Sequence, residues 1–146
     1  MLFKDIPGNK IVKKELIKSV KKDRIAHAQL FLGKSGNAKL ALAIAFAQFL
    51  NCEKRGETDS CNSCHSCLMY NSLSHPDLHL IFPVLKINKI KNPVSDNFIF
   101  QWREIVLDNP YLSLTDWYKY FDAENKQGAI YTHEAEQLQK KVALKN

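Results

Sequence analysis

Residues 28–40 read Ala-Gln-Leu-Phe-Leu-Gly-Lys-Ser-Gly-Asn-Ala-Lys-Leu, and this stretch decides the fold. Its last eight residues follow the spacing of a phosphate-binding loop, G-x-x-x-x-G-K-[ST], with Gly33 and Lys39 at the required positions. Ala38 replaces the second glycine of the pattern, and Leu40 replaces the Ser or Thr whose hydroxyl holds Mg²⁺. Because leucine cannot ligate a metal ion, the loop predicts a P-loop NTPase fold without NTPase chemistry.

The segments on either side of the loop supply the context that a phosphate loop requires. Residues 28–32 form a short apolar run that predicts a buried strand, and residues 39–50 predict a helix that is apolar nearly all round. Residues 78–82 predict a second strand. Alternating strands and helices predict an α/β fold with a parallel sheet. Since too few strands are visible for a complete sheet, either the chain is a fragment or a strand lies in the aromatic segment 114–121.

Three further segments have a helical pattern. Residues 9–24 place Val12, Leu16 and Val20 on one stripe, with Asn9 as a plausible N-cap. Residues 98–107 predict a second helix. A third is predicted to begin at an N-cap, Thr132, with glutamates in its first turn and lysines toward its end.

The four cysteines of the chain lie close together in a polar segment with weak periodicity. Cys52, Cys61, Cys64 and Cys67 have the spacing C-x8-C-x2-C-x2-C. Four thiolates on one short loop can complete a tetrahedral shell around Zn²⁺, and a closed shell indicates a structural site. Two disulfides, an iron–sulfur cluster and unligated thiols are the alternatives. A chain without an export signal disfavours disulfides, and the x3-C-P continuation of bacterial ferredoxins is missing.

The composition is that of a globular protein. The 146 residues are 45% hydrophobic and 25% charged, with a net charge of +6. No apolar run is long enough to cross a membrane, and the N-terminus lacks a secretory pattern, so we expect a cytoplasmic protein without a membrane partner. The positive charge weakly favours an anionic partner such as nucleic acid, although a solvated helix face and a solvated loop are the favoured explanation of the lysine clusters.

No catalytic constellation is visible. No carboxylate or nucleophile lies at a catalytic spacing from four of the histidines, His27, His75, His79 and His133. We therefore expect these histidines to pack against other residues or to lie on the surface. No apolar strand leads into an Asp-Glu pair, which would supply the second set of Mg²⁺ ligands in a P-loop NTPase. We therefore do not expect the chain itself to be catalytic.

The order of these features resembles a known family. A first helix is followed by Ala-His-Ala-Gln-Leu-Phe-Leu-Gly (residues 26–33), the loop, an alanine-rich helix, the four cysteines and His-Pro-Asp (residues 75–77). This order is similar to the N-terminal domain of bacterial DNA polymerase III clamp-loader subunits, which are AAA+ proteins with an inserted zinc module. The resemblance is specific over residues 3–82 and looser over residues 83–131, which look like an insertion.

The resemblance implies a set of site residues and a domain plan. The zinc ligands would be Cys52, Cys61, Cys64 and Cys67, in a module spanning residues 51–75. Gly33, Gly36 and Lys39 would be remnants of the phosphate loop, with binding of ATP and Mg²⁺ not expected. Residues 1–146 would be the first part of an AAA+ nucleotide-binding-like domain, without the lid and collar domains of the family.

The resemblance also implies a function. Within the family, the tau/gamma subunits are ATPases and the delta-prime subunit is a degenerate one, and Ala38 and Leu40 favour the delta-prime type. Such a subunit helps the polymerase III clamp loader place the sliding clamp on primed DNA. Its partners would be other clamp-loader subunits and, through the complex, the clamp and primer-template DNA. The alternatives are an ATP-hydrolysing tau/gamma-type subunit and a small zinc-binding nucleic-acid module.

Overall fold

The computed structural model describes residues 1–87 and 90–143. The chain divides into two compact units, one formed by Met1–Leu78 with Asn109–Tyr111 and the other by His79–Asp108 with Leu112–Asn146. The parts of the predicted domain (1–146) and insertion (83–131) that fall on residues 88–89 and 144–146 lie outside the described residues.

The first unit is built from helices. A 3₁₀ turn, Phe3–Asp5, precedes α1 (Lys10–Lys21), α2 (Lys39–Asn51) and α3 (His65–Asn71). The predicted stripe of α1 is confirmed at Leu16 and Val20, which pack on the core. Val12 is instead 43% exposed. The buried core itself comes from the first six residues, from the residue that precedes α2 and from α2: Phe3, Ile6, Ala38, Ala41, Leu42, Ala45, Phe46 and Phe49. Thus α2 is a central helix, as its nearly continuous apolar sequence predicted.

The starts of two predicted helices differ in detail. Asn9 precedes α1 in a left-handed conformation, φ 53°, and its side chain makes no capping bond. Thr132 is the first residue of the last helix and not the residue before it. The two helices themselves are confirmed, because each predicted segment coincides with an observed helix to within a few residues.

The two predicted strands, at residues 28–32 and 78–82, are not strands in the structure. Within residues 1–87 and 90–143 the only β pairing is an antiparallel bridge between Val84 and Ala129. Residues 28–32 have no partner strand, and without a ladder the backbone groups of an apolar run cannot form a sheet. Leu30 and Leu32 are accordingly 80% and 81% exposed. The predicted parallel sheet, and with it the α/β class, is therefore not confirmed, and the described residues are mainly helical.

Three helices and an aromatic cluster make up the described residues of the second unit. A 3₁₀ turn, Ser95–Phe98, leads into α4 (Ile99–Asp108), which is followed by α5 (Leu114–Lys119) and α6 (Thr132–Ala143). The ring of Trp117 makes edge contacts with three other rings, at centroid distances of 4.9 Å to Trp102, 4.9 Å to Phe121 and 5.3 Å to Phe82. The aromatic residues of segment 114–121 therefore form a helix and a core, and do not hide a strand.

A buried hydrogen-bond network also stabilises this unit. The Ser95 hydroxyl accepts a bond from the Phe82 N–H at 3.0 Å and donates to the Phe82 carbonyl at 3.2 Å. The Ser95 N–H donates to the buried carboxylate of Glu134 at 2.6 Å. Ser95 thus joins the segment before the 3₁₀ turn to the first turn of α6.

Ser95→Ala is expected to lower the free energy of unfolding by about 1–3 kcal/mol, because it leaves two buried backbone groups of Phe82 unpaired. Urea denaturation followed by far-UV circular dichroism measures the change. Ser72→Ala is the matched control, since the Ser72 hydroxyl bonds at the surface and its loss should change stability by less than about 0.5 kcal/mol. Equal effects of the two variants would contradict the importance of the network.

No helix in the described part of the chain combines the length and apolar content needed to span a bilayer.

Candidate metal centre and phosphate loop

The elements of the first unit bring the four cysteines together. Cys52 directly follows α2, Cys64 is the N-cap of α3, and Cys67 lies in the first turn of that helix. Cys61 lies in the intervening loop. All four are free thiols, and their sulfur atoms lie within 4.8 Å of one another. The spacing therefore predicted a cluster that the structure contains, and no histidine of the described residues joins it.

The cluster has the dimensions of a tetrahedral zinc site. A Zn–S distance of about 2.3 Å separates the sulfur atoms of a tetrahedron by roughly 3.8 Å, and the Cys61 and Cys67 sulfurs are 3.9 Å apart. A set of four thiols is also the donor chemistry of closed structural sites. The residues present thus fit a zinc ion.

Backbone N–H groups point at three of the sulfurs. The N–H of Cys61 donates to the sulfur of Cys52 at 3.3 Å, that of Cys64 to Cys61 at 3.3 Å, and that of Cys67 to Cys64 at 3.5 Å. The repeated x2 spacing produces the last two bonds, because each cysteine N–H lies one turn beyond the preceding sulfur. Such bonds stabilise sulfur in its anionic form.

The thiols differ in acidity because their surroundings differ. Backbone N–H groups of Ser63 and Cys64 lower the pKa of Cys61 to about 5, and the Cys67 N–H likewise lowers the pKa of Cys64. Burial raises the pKa of Cys52, and it raises that of Cys67 to about 12. The two less buried thiols, Cys61 and Cys64, are thus the more acidic pair, whereas Cys52 and Cys67 would lose their protons more readily next to a cation.

The histidines near the cluster have other contacts. His65 is exposed. His75 stacks on the ring of Tyr70 at a centroid distance of 4.7 Å, and its Nδ1 accepts a bond from the Asp77 N–H at 3.2 Å. The His-Pro-Asp segment therefore packs on α3 and makes a local turn.

One buried polar residue near the cysteine cluster was not predicted from the sequence. Gln48 lies in the middle of α2 and is fully buried. Its Oε1 accepts a hydrogen bond from the Met1 nitrogen at 2.7 Å. The only sequence signal was that this glutamine interrupts the apolar run of the helix.

The phosphate-loop residues are bonded to one another. The N–H of Ala38 donates to the Asn37 side-chain oxygen at 2.8 Å, and the N–H of Lys39 to the Asn37 carbonyl at 2.8 Å. The Lys39 ammonium donates to the carbonyl of Gly33 at 2.6 Å. Gly36 has a φ of +74°, so the loop does use one glycine for a left-handed turn. Donors that a phosphate would need are therefore partly occupied by the loop itself.

The two substituted positions are part of the packing. Ala38 is 5% exposed and belongs to the core cluster, and Leu40 is half-buried. A cavity of about 600 Å³ opens beside the loop, between α1, the extended residues 29–32 and the start of α2. Asn37 and Lys39 line it. Its volume falls in the range of small-molecule sites.

Comparison with known proteins gives a consistent set of relatives. The family model described as DNA polymerase III, delta subunit, matches residues 8–146. The delta' subunit of DNA polymerase III from Bacillus subtilis is 44% identical over 72 residues, which cover 49% of this chain and 22% of the relative. The gamma/tau subunit from Mycoplasma genitalium is 29% identical over 119 residues, 77% of this chain and 20% of the relative.

A third relative, the delta' subunit from Yersinia pestis, is 37% identical over 57 residues, covering 39% of this chain and 17% of the relative. The chain thus spans about a fifth of the length of these relatives. No solved structure matches it. Since the family model covers nearly the whole sequence, this chain belongs to the DNA polymerase III, delta subunit family, as its resemblance to clamp-loader subunits predicted.

Proposed function

We propose that this chain is part of a delta-prime-type clamp-loader subunit that does not hydrolyse ATP. The proposal rests on the phosphate loop, which lacks the metal-binding hydroxyl of the motif and binds its own lysine. Leu40 offers no metal ligand, and Lys39 donates its ammonium to the loop's own Gly33 carbonyl. A phosphate would have to displace that bond, and Mg²⁺ would find no hydroxyl at the position where the motif supplies one.

The proposed role of the whole protein follows from the family. It would help the clamp loader open the sliding clamp and place it on primed DNA, together with other polymerase III subunits. Its contribution would be a rigid subunit interface and not turnover. The net charge of +6 is consistent with a complex that works on DNA.

A nucleotide titration tests the non-hydrolysing role. We expect no saturable binding of a fluorescent ATP analogue with Mg²⁺, and no phosphate release by the full-length protein. The double variant Ala38→Gly, Leu40→Thr restores the motif and should bind the analogue more tightly than the unmodified chain. Tight binding and turnover by the unmodified full-length protein would refute the proposal.

The cluster of four thiols supports a structural zinc ion as the second part of the proposal. Four cysteines fill a tetrahedral shell and leave no position for a substrate. The ion would join the end of α2 to the start of α3, since Cys52 follows one helix and Cys64 caps the other. Metal analysis of the purified protein should give one zinc per chain. A visible absorption band with bound iron would instead identify an iron–sulfur cluster.

An ATP-hydrolysing tau/gamma-type subunit is the second candidate. The cavity beside Lys39 favours it, as does the gamma/tau relative that aligns with 77% of this chain. In this case the unmodified chain should bind the fluorescent ATP analogue, and the double variant Ala38→Gly, Leu40→Thr should bind it with a similar affinity.

A small zinc-binding nucleic-acid module is the third candidate. It requires this chain alone to bind DNA with an affinity that falls steeply as salt is raised. A salt series of fluorescence-anisotropy titrations separates it from the first two.

A further inference from the structure

Gln48 is the single polar side chain among the fully buried residues of α2. Its exposed fraction is 0%, and the buried neighbours along the helix are alanine, leucine, isoleucine and phenylalanine. An amide buried in such a place is costly unless both its oxygen and its nitrogen are hydrogen-bonded. The position therefore requires a partner for each end of the side chain.

The contact with Met1 fixes the orientation of the amide. The Met1 nitrogen lies 2.7 Å from Oε1 and can only donate, so the oxygen of Gln48 faces it. The Nε2 group then points away from Met1. It is buried and has no hydrogen-bond partner among the described residues.

The Nε2 side of the amide faces the cysteine cluster. The Gln48 side chain lies within hydrogen-bonding reach of the Cys67 thiol, because α2 and α3, which carry these two residues, pack against each other. Cys67 itself is 0% exposed. A neutral thiol is a weak acceptor, whereas an anionic sulfur accepts a strong hydrogen bond.

The arrangement of donors around the cluster leaves a place for this bond. Backbone N–H groups of the next cysteine in sequence donate to Cys52, Cys61 and Cys64. Cys67 is the last cysteine of the motif, so no following cysteine can serve it in the same way. The donors to Cys67 therefore come from outside this repeating pattern, and the buried Gln48 side chain is one that lies within reach.

We propose that Gln48 is a positioning residue of the metal centre, whose Nε2–H donates to the metal-bound thiolate of Cys67 while the Met1 nitrogen holds its Oε1. This inference rests on the zinc centre proposed above. The bond stabilises the most buried of the four sulfurs in its anionic form and aims it at the ion. Groups of this kind in the outer shell typically contribute a factor of about 10–100 to metal affinity.

Two variants remove the donor with little change in volume. Gln48→Met and Gln48→Glu should each bind zinc about 10–100-fold more weakly than the unmodified chain, in competition with a chromophoric chelator. Their Co²⁺ forms should also show a shifted sulfur-to-metal charge-transfer band, because one thiolate has lost its hydrogen bond. Asn51→Leu is the control from the same helix. Its amide bonds the Ala47 carbonyl and the Tyr70 hydroxyl, so its loss should leave zinc affinity within about twofold.

A measurement on the unmodified chain keeps the inference testable even where a variant fails to fold. With ¹¹³Cd in place of zinc, a Gln48 Nε2 proton should move downfield and show scalar coupling to the metal. Absence of both signals, or variants that bind zinc within twofold of the parent, would overturn the role of Gln48 alone. An unmodified chain that binds no zinc would overturn the metal centre and this inference together.

Discussion

Cys67→Ser is expected to weaken zinc binding by at least about a hundredfold. The sulfur of Cys67 is fully buried in the cluster and lies 3.9 Å from that of Cys61. Structural zinc sites bind with roughly 10–16 kcal/mol, so one of four ligands accounts for about 3 kcal/mol, or about two orders of magnitude in affinity. A competition titration with a chromophoric chelator at neutral pH measures the loss.

Ser66→Ala is the matched control for this variant. Ser66 adjoins Cys67 in α3 and is also buried, but its hydroxyl is no part of the sulfur cluster. Its N–H bond to Glu53 belongs to the backbone and survives the change. Zinc affinity should therefore stay close to that of the parent. An unchanged affinity in Cys67→Ser would show that this cysteine is not a ligand.

Trp117→Ala is expected to lower the free energy of unfolding of the second unit by about 3–5 kcal/mol. Trp117 is 1% exposed, and its Nε1–H donates to the Pro83 carbonyl at 2.8 Å. Alanine removes the ring on which Phe82, Trp102 and Phe121 pack. It also leaves the partly buried Pro83 carbonyl without its donor. Urea denaturation followed by the fluorescence of Trp102 measures the change in this unit.

Phe100→Ala gives the comparison for an aromatic residue of the same unit. Phe100 lies on α4 and is 76% exposed, so its removal should change stability by less than about 0.5 kcal/mol. Similar losses in the two variants would mean that the aromatic cluster is not the core of the unit.

The sequence predicted those parts of the fold that depend on local pattern. The apolar run of α2 and the stripe of α1 are properties of single segments, and both helices are present. The helix α5 could also have been found. Ser113 and Asp116 form a capping box, in which each side chain bonds the other's backbone N–H, and this pattern can be recognised in the sequence.

The predicted strands failed for a physical reason. A strand is defined by its neighbour, and residues 28–32 have no neighbour among the residues that the structure describes. Apolar character alone therefore could not decide between a paired strand and an exposed extended segment. The short helix α3 was missed because its seven residues are too few to show a periodic stripe.

The candidate site was likewise predicted only where it depends on a local sequence pattern. Cysteine spacing is enough to identify the cluster of four thiols, because the cysteines lie close together in the sequence. The role of Gln48 depends on how α2 packs against the cysteine loop and on where Met1 lies, and neither is a property of a local pattern. The bond between Lys39 and Gly33 likewise follows from the loop's conformation and not from its motif.

The length of α2 has a consequence for how this chain can vary. The helix begins at Lys39, beside the phosphate loop, and Cys52 follows its last residue. Each residue of an α-helix advances the chain by about 1.5 Å and turns it by roughly 100°. Deleting one residue within α2 would therefore rotate Cys52 away from the other three sulfurs or turn the apolar face out of the core. Insertions and deletions should be tolerated in the exposed part of the loop at residues 54–58, but not between Lys39 and Cys52.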